Sequence, residues 1–328
     1  MENTVVFKKM LGAFGVGGPT VDTVLTDPNT HPGGTLAGQV NLTGGNHDVD
    51  IQHVTLGLVT YMEVEGGDGD HGARAEFHRL TVTGPMRLAQ GRHTTVPFTL
   101  AMPWEAPITA VYGQPLHGMT MGARTEVAVA RAVDKGDLDP VVVHPLPVQQ
   151  RILDAFAQLG FRFKNADLEY GQIAGVHQTL PFYQEIEYFA ATQYGPALNE
   201  VELTFVTNPH TVDIVLEFDK RGGMFDGGHD TYGRHTVAHT DADTIDWTQQ
   251  VDAWIRQAVE RRQHLPGQGA PGHGYRHHGH YATHGHDSHH GHGSGVGGVL
   301  LGAAGGLAAG YAASEVVDEV FDDEDSED

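Results

Sequence analysis

Between Val21 and Phe218 apolar and polar side chains alternate with a period of two along much of the chain. Leu36, Gly38, Val40 and Leu42 share one phase, as do Val54, Leu56, Leu58, Met62 and Val64, and again Val96, Phe98, Leu100 and Met102. Further on, Val201, Leu203 and Phe205 oppose Glu200, Glu202 and Thr204, and Val212, Ile214, Leu216 and Phe218 oppose Asp213, Glu217 and Asp219. Successive side chains of a strand point to opposite faces, so this is the pattern of half-buried antiparallel strands. Turn-forming clusters bound the runs: Asp27-Pro28-Asn29, Pro32-Gly33-Gly34, Gly44-Gly45-Asn46 and Thr207-Asn208-Pro209-His210. Many short strands with few helices predict β-sandwiches and not a parallel α/β sheet.

Two segments switch to helical spacing. Pro147–Leu159 sets Ile152, Phe156 and Leu159 on one stripe before Gly160, a natural stop, and serves as the connector between two sandwiches. The second runs from Asp246 to about Gln263, with Trp247, Val251, Trp254, Ile255 and Ala258 as its apolar face. Asp246 followed by Gln249 resembles a capping box, and Arg256, Arg261 and Arg262 suit the C-terminal end of the helix dipole. The predicted fold is therefore all-β: two antiparallel β-sandwich domains, over residues 1–145 and 146–263, with a short connecting helix and a C-terminal capping helix.

Beyond Gln263 the pattern stops. Residues 264–292 are a His/Gly-rich linker with almost no aliphatic side chains, so they are expected to be disordered. Residues 293–314 are Gly/Ala-rich and uncharged, and residues 315–328 form an acidic tail in which nine of fourteen side chains are Asp or Glu. Charge sharpens this division. Of the net −23, residues 1–262 carry −14 and residues 263–328 carry −9. Such a field repels phosphate backbones and argues against nucleic acid as a partner. The chain has no cysteine, which removes disulfides and zinc–sulfur sites and fits a reducing cytoplasm. Met1–Leu11 lacks the apolar run of a secretory signal.

The chemistry of the body argues against an enzyme. All four serines, Ser288, Ser294, Ser314 and Ser326, fall in the tail, so the body lacks both usual acyl-transfer nucleophiles. No HExxH or GxxxxGK[ST] spacing is present, and the glycines at 12, 15, 17 and 18 precede a strand where a dinucleotide motif would follow one. No catalytic residue and no cofactor are expected. Asp134, Asp137 and Asp139 read as a surface turn, since their spacing fails the calcium-loop pattern. Alternation explains Glu185, Glu187, Glu200, Glu202, Asp213, Glu217 and Asp219 as a solvated sheet face; the alternative is an acidic docking surface for a basic partner. Nine histidines, His273, His277, His278, His280, His284, His286, His289, His290 and His292, could take up divalent transition metal weakly at several sites. Gly298, Gly302, Gly306 and Gly310 would line one face of a helix, and the run of residues 293–314 is long enough to associate with a membrane.

The body also resembles a known family. Val21-Asp22-Thr23-Val24-Leu25, Pro32-Gly33-Gly34-Thr35-Leu36-Ala37-Gly38 and Val96-Pro97-Phe98-Thr99-Leu100, followed by Pro103 and Pro107-Ile108-Thr109, are arrestin-like features. More particular are Ala132-Val133-Asp134 through Asp137-Leu138-Asp139-Pro140, Ile152-Leu153-Asp154-Ala155-Phe156, and Leu159-Gly160-Phe161. In the second half Gln184-Glu185-Ile186-Glu187, Asn199-Glu200-Val201-Glu202-Leu203 and Asp219-Lys220-Arg221-Gly222 continue the series. Together they resemble the SpoOM family of bacterial sporulation-control proteins over most of residues 5–262. The resemblance implies an arrestin-like fold and a cytoplasmic regulator of sporulation or differentiation that acts through protein contacts, with no catalytic residues to carry over. Edge strands of the two sandwiches could receive a protein partner or a second copy of the chain. The competing expectations are a metal-binding protein working through the histidine tract and a membrane-associated adaptor working through residues 293–314.

Overall fold

The computed structural model describes residues 12–13, 17–64, 71–129, 135–218 and 233–264. The first lobe contains β1 (Gly12–Ala13), β2 (Thr20–Leu25), β3 (Asn29–Thr30), β4 (Thr35–Thr43), β5 (Val49–Val64), β6 (His71–Thr83), β7 (Met86–Leu88) and β8 (His93–Ala101). After a small hairpin, β9 (Ala110–Val111) and β10 (Gln114–Pro115), come β11 (Met121–Val129), β12 (Lys135–Pro140) and β13 (Val142–Val143). The second lobe holds α1 (Pro147–Gln158), β14 (Arg162–Tyr170), β15 (Phe182–Phe189), β16 (Glu200–Thr207), β17 (Thr211–Phe218), β18 (Gly233–Ala238) and α2 (Trp247–His264).

Alternation becomes packing in the first lobe. The sheet β1-β2-β4-β8 lies over β12-β11-β5, with β6 and β7 paired along β5. The phase predicted from sequence meets between the layers: Val21, Leu36, Val40 and Leu42 from one sheet, Val54, Leu56, Leu58, Ala123 and Val127 from the other. Each of these side chains is buried, which for a Val or Leu contributes about 1.5–3 kcal/mol.

One expectation needs correction here. The segment expected to be a surface turn is the strand β12, and Asp137 is buried. Its carboxylate accepts the backbone N–H of Thr23 at 2.7 Å and that of Leu138 at 3.0 Å, while the Thr23 and Thr125 hydroxyls lie 2.6 Å apart. Asp137 therefore ties β12 to β2 across the layers, satisfying a donor that no strand pairs.

In the second lobe β14 to β18 pair in sequence order, all antiparallel. Helices α1 and α2 cover one face of this sheet. Ile152 and Phe156 from α1 and Trp247, Val251, Trp254 and Ile255 from α2 pack with Ile186, Val201, Leu203, Val212, Ile214 and Leu216. Pro147 begins α1, where its missing N–H costs nothing, and the Gln149 side chain accepts the Leu146 N–H at 2.8 Å. Asp246 caps α2 as expected, accepting the Gln249 N–H at 3.0 Å.

The lobes are joined by more than their connecting helix. A parallel bridge at Glu63 and Glu169 joins β5 to β14, making one ten-stranded sheet of the two halves. The stretch between β8 and β11 crosses as a strap and buries Leu116 and Met119 in the second lobe's core. At its tip Tyr112 and Gly113 have φ of 53° and 72°, the left-handed pair of a two-residue hairpin turn.

Candidate functional site

The side of the second sheet opposite the helices carries the carboxylates singled out in the sequence. Asp167 stands opposite Glu185, Glu187 opposite Glu202, and Glu202 opposite Glu217, so three cross-strand pairs place like charges side by side. Ordinarily this is destabilising. The carboxylate oxygens of Asp167, Glu169 and Glu185 lie within 4.8 Å of one another, and so do those of Glu185, Glu202 and Glu217. Spacing of this kind, with oxygen donors alone, suits a hard cation better than a transition metal.

The expected solvated face is not what surrounds them. Glu185, Glu202 and Glu217 are 1%, 6% and 9% exposed, so a docking surface open to a basic partner does not exist at these three positions. Glu187 and Glu200 lie at the edge of the cluster, where Lys164 meets them at 2.7 and 2.8 Å. Those two hydrogen bonds hold the ammonium protonated well above the usual lysine range. Asp213 accepts a hydrogen bond from the Thr236 hydroxyl on β18. Asp219 lies outside the described residues. Burial, followed by the charges of Glu185, Glu187 and Glu169, pushes the Asp167 carboxyl up to about 8. Burial likewise raises the Tyr183 phenol, with Glu185 adding to it.

What covers part of this face is a loop. Residues 171–179, between β14 and β15, set Ile173 and Val176 against Tyr183, Val206 and Val215. Period two reveals which side of a sheet is polar, but not whether a loop from the same sheet folds back across it.

At the lobe junction the structure brings together side chains that alternation did not single out. Gln184, 8% exposed, takes the Ile108 N–H at 2.9 Å and donates to the Ile108 carbonyl at 2.7 Å, imitating a strand partner. A signal was present: Gln184 lies in the apolar phase of Phe182, Ile186 and Tyr188, where a polar residue needs a fixed partner. The Tyr112 hydroxyl donates to Asp154 on α1 at 2.6 Å, and its phenol is pushed up to about 12 by burial and by that carboxylate. Asn165 meets His117 at 3.0 Å.

The sheet edges are the remaining surface of interest. Among the described residues β6 pairs only with β5, β8 only with β4, and β18 only with β17. Pro97 interrupts β8 as an edge donor. β6 is the longest of the three, at 13 residues, and carries Arg79, paired with Glu76 and with Glu126 at 3.3 Å. The histidine tract and residues 293–314 lie outside the described residues, so the metal and membrane expectations attached to them gain no geometry. Among the described residues no helix is long and apolar enough to cross a membrane.

Comparison with known proteins adds three findings. The sequence model described as SpoOM protein matches residues 7–222. The sporulation-control protein spo0M of Bacillus subtilis (strain 168) is 32% identical over 216 residues, which is 66% of this chain and 81% of that protein. The crystal structure of Spo0M, sporulation control protein, from Bacillus subtilis superposes with a TM-score of 0.65 at 26% identity, covering 75% of this chain and 99% of the other.

Proposed function

Because the chain belongs to the SpoOM protein family, we propose that it is a non-enzymatic scaffold that works through protein contacts. Family membership gives it a sporulation-related role. The finer reading is that the body presents a sheet edge to a partner or to a second copy of itself. It is supported by one observation above the others: β6, a 13-residue strand, has a ladder on one side only among the described residues. Such a strand offers a row of N–H and C=O groups to an incoming strand. Absence of serine and cysteine from the body agrees with contact as the mode of action.

The test uses adjacent positions of opposite hydrogen-bonding sense. In an antiparallel strand, one of His78 and Arg79 turns its N–H toward β5 and the other turns it outward. Single prolines are introduced at each, and partners are captured by crosslinking in cells and identified by mass spectrometry, with light scattering of the purified chain. The proline that removes an outward N–H should leave the circular dichroism unchanged and abolish capture or self-association. Capture that survives both prolines, with the fold intact, removes this edge as the contact surface.

A further inference from the structure

The loop between β14 and β15 is fastened in an unusual way for a segment that covers a sheet face. Its backbone makes local turn contacts, Val176 N–H to the Ile173 carbonyl at 3.3 Å and Gly171 N–H to the Pro181 carbonyl at 2.9 Å, but takes no part in a strand ladder. Its further ties come from four side chains: Gln172 in the loop, which donates to the Leu180 carbonyl at 2.9 Å, Gln178 in the loop, Arg234 on β18 and Glu105 on the strap. Gln178, within the loop, donates to the carbonyls of Gly171, Leu180 and Phe182 at 2.8, 2.8 and 3.0 Å and accepts the Ile173 N–H at 3.1 Å. Arg234 on β18 reaches the Ala174 carbonyl at 3.4 Å and the Gly175 carbonyl. Glu105, on the strap from the first lobe, accepts the Thr179 N–H and hydroxyl and the Leu180 N–H, at 2.8 Å each.

The apolar contribution is equally local. Ile173 and Val176 pack on Tyr183, Val206 and Val215, a small cluster separate from the two main cores. Where loop, strap and sheet meet, a cavity of about 10 Å³ remains among Trp104, Glu105, Gln178, Tyr183 and Val206, room for roughly one water. A segment held by two apolar side chains and by side-chain hydrogen bonds, with no strand ladder of its own, detaches at lower cost than the lobe unfolds. Charge-assisted hydrogen bonds are the strongest of those ties; Arg234 supplies them from the same sheet, and Glu105 supplies them across the lobe boundary.

We propose that residues 171–179 form a flap that opens as a local unit over the patch of Tyr183, Val206 and Val215, and that Glu105 of the other lobe is its latch. Opening uncovers an apolar patch bordered by the carboxylates of the same sheet face, while closure requires the lobes to hold their present relation. Glu105 is a positioning residue here. The inference is independent of the edge contact proposed for β6.

A chain without cysteine makes the test clean, because any introduced thiol is the sole reactive one. Val206→Cys places a thiol under the flap, and Val201→Cys places one on the opposite phase of the same strand, in the main core, where Val201 is 0% exposed. Labelling of the full chain by a thiol-reactive probe in native buffer should run at least about ten-fold faster at Val206→Cys than at Val201→Cys. Adding Glu105→Ala should speed labelling at Val206→Cys by a further factor of about ten and leave Val201→Cys unchanged. Glu105→Gln, which keeps the shape and loses the charge, should fall between, and it serves alone if Glu105→Ala fails to fold by near-ultraviolet circular dichroism. Equal rates at the two thiols overturn the flap. A Glu105 substitution that alters both thiols alike, or neither, overturns the latch.

Discussion

Asp167 shows how one side chain can couple this fold to pH. Its carboxyl is pushed up to about 8 by burial first, then by Glu185, Glu187 and Glu169. The folded state therefore holds a proton that the unfolded chain releases near the ordinary value of 3.8. Stability contributed by that proton is fully present below about pH 4 and is lost as pH rises through about 8, because over that window the folded state binds the more protons. With partial exposure and screening, the effect should amount to about 2 kcal/mol, well under the full linkage value. Asp167→Asn removes the titrating group and keeps the shape. Urea unfolding at pH values of about 5, 7 and 9 should show wild-type stability declining across the series and the variant declining by distinctly less. Parallel declines in the two proteins would assign the pH dependence to other groups.

At the level of elements, the strap between β8 and β11 explains much of what sequence could and could not say. Alternation located β4, β8, β16 and β17 and their buried phase, since Leu36, Val40, Val201 and Ile214 all turn inward as their spacing requires. Both helices and the Asp246 cap were equally legible. The strap was not, because Leu116 and Met119 are isolated apolar residues with no period, and their destination lies in the other lobe's core. Asp137 was missed for a related reason: a carboxylate in a Gly- and Asp-rich run looks like a turn, and only the approach of Thr23 makes it a structural acceptor. The flap over Tyr183, Val206 and Val215 was hidden likewise, since side-chain phase is a property of one strand and coverage is a property of the assembled sheet. One strap residue gives a sharp test. Gly118 has φ of 87°, and a Cβ there would stand 1.9 Å from the Ala166 carbonyl oxygen of β14. Gly118→Ala meets both left-handed strain and a backbone clash, so it should lower stability by about 3 kcal/mol. Gly113 shares the positive φ at 72° but has open space around it, so Gly113→Ala should cost about 1 kcal/mol. Thermal melts of the two variants that show equal losses would contradict the close approach of strap and strand.

Among the described residues the two main apolar cores share one continuous ten-stranded sheet, and this arrangement decides how the body should unfold. Had the lobes met only through a linker, each core would melt at its own midpoint. Instead β5 and β14 bridge at Glu63 and Glu169, the strap carries Leu116 and Met119 across, and Gln184 grips the backbone of Ile108 in both directions. Separating the lobes would expose those apolar groups and leave a buried amide and its backbone partners without hydrogen bonds, a penalty of about 1–3 kcal/mol for each unsatisfied group. The described body should therefore unfold in one transition. With Trp104 at the lobe junction replaced by Phe, Trp247 and Trp254 report on the second lobe through fluorescence, whereas far-ultraviolet circular dichroism follows both lobes. Leu58→Ala in the first core, at a cost of about 2–5 kcal/mol, should move both signals to the same lower urea midpoint, although Leu58 packs in the other core. Ile214→Ala in the second core should do the same in reverse. If Leu58→Ala shifted the circular dichroism while the tryptophan transition stayed in place, the two lobes would be separate folding units.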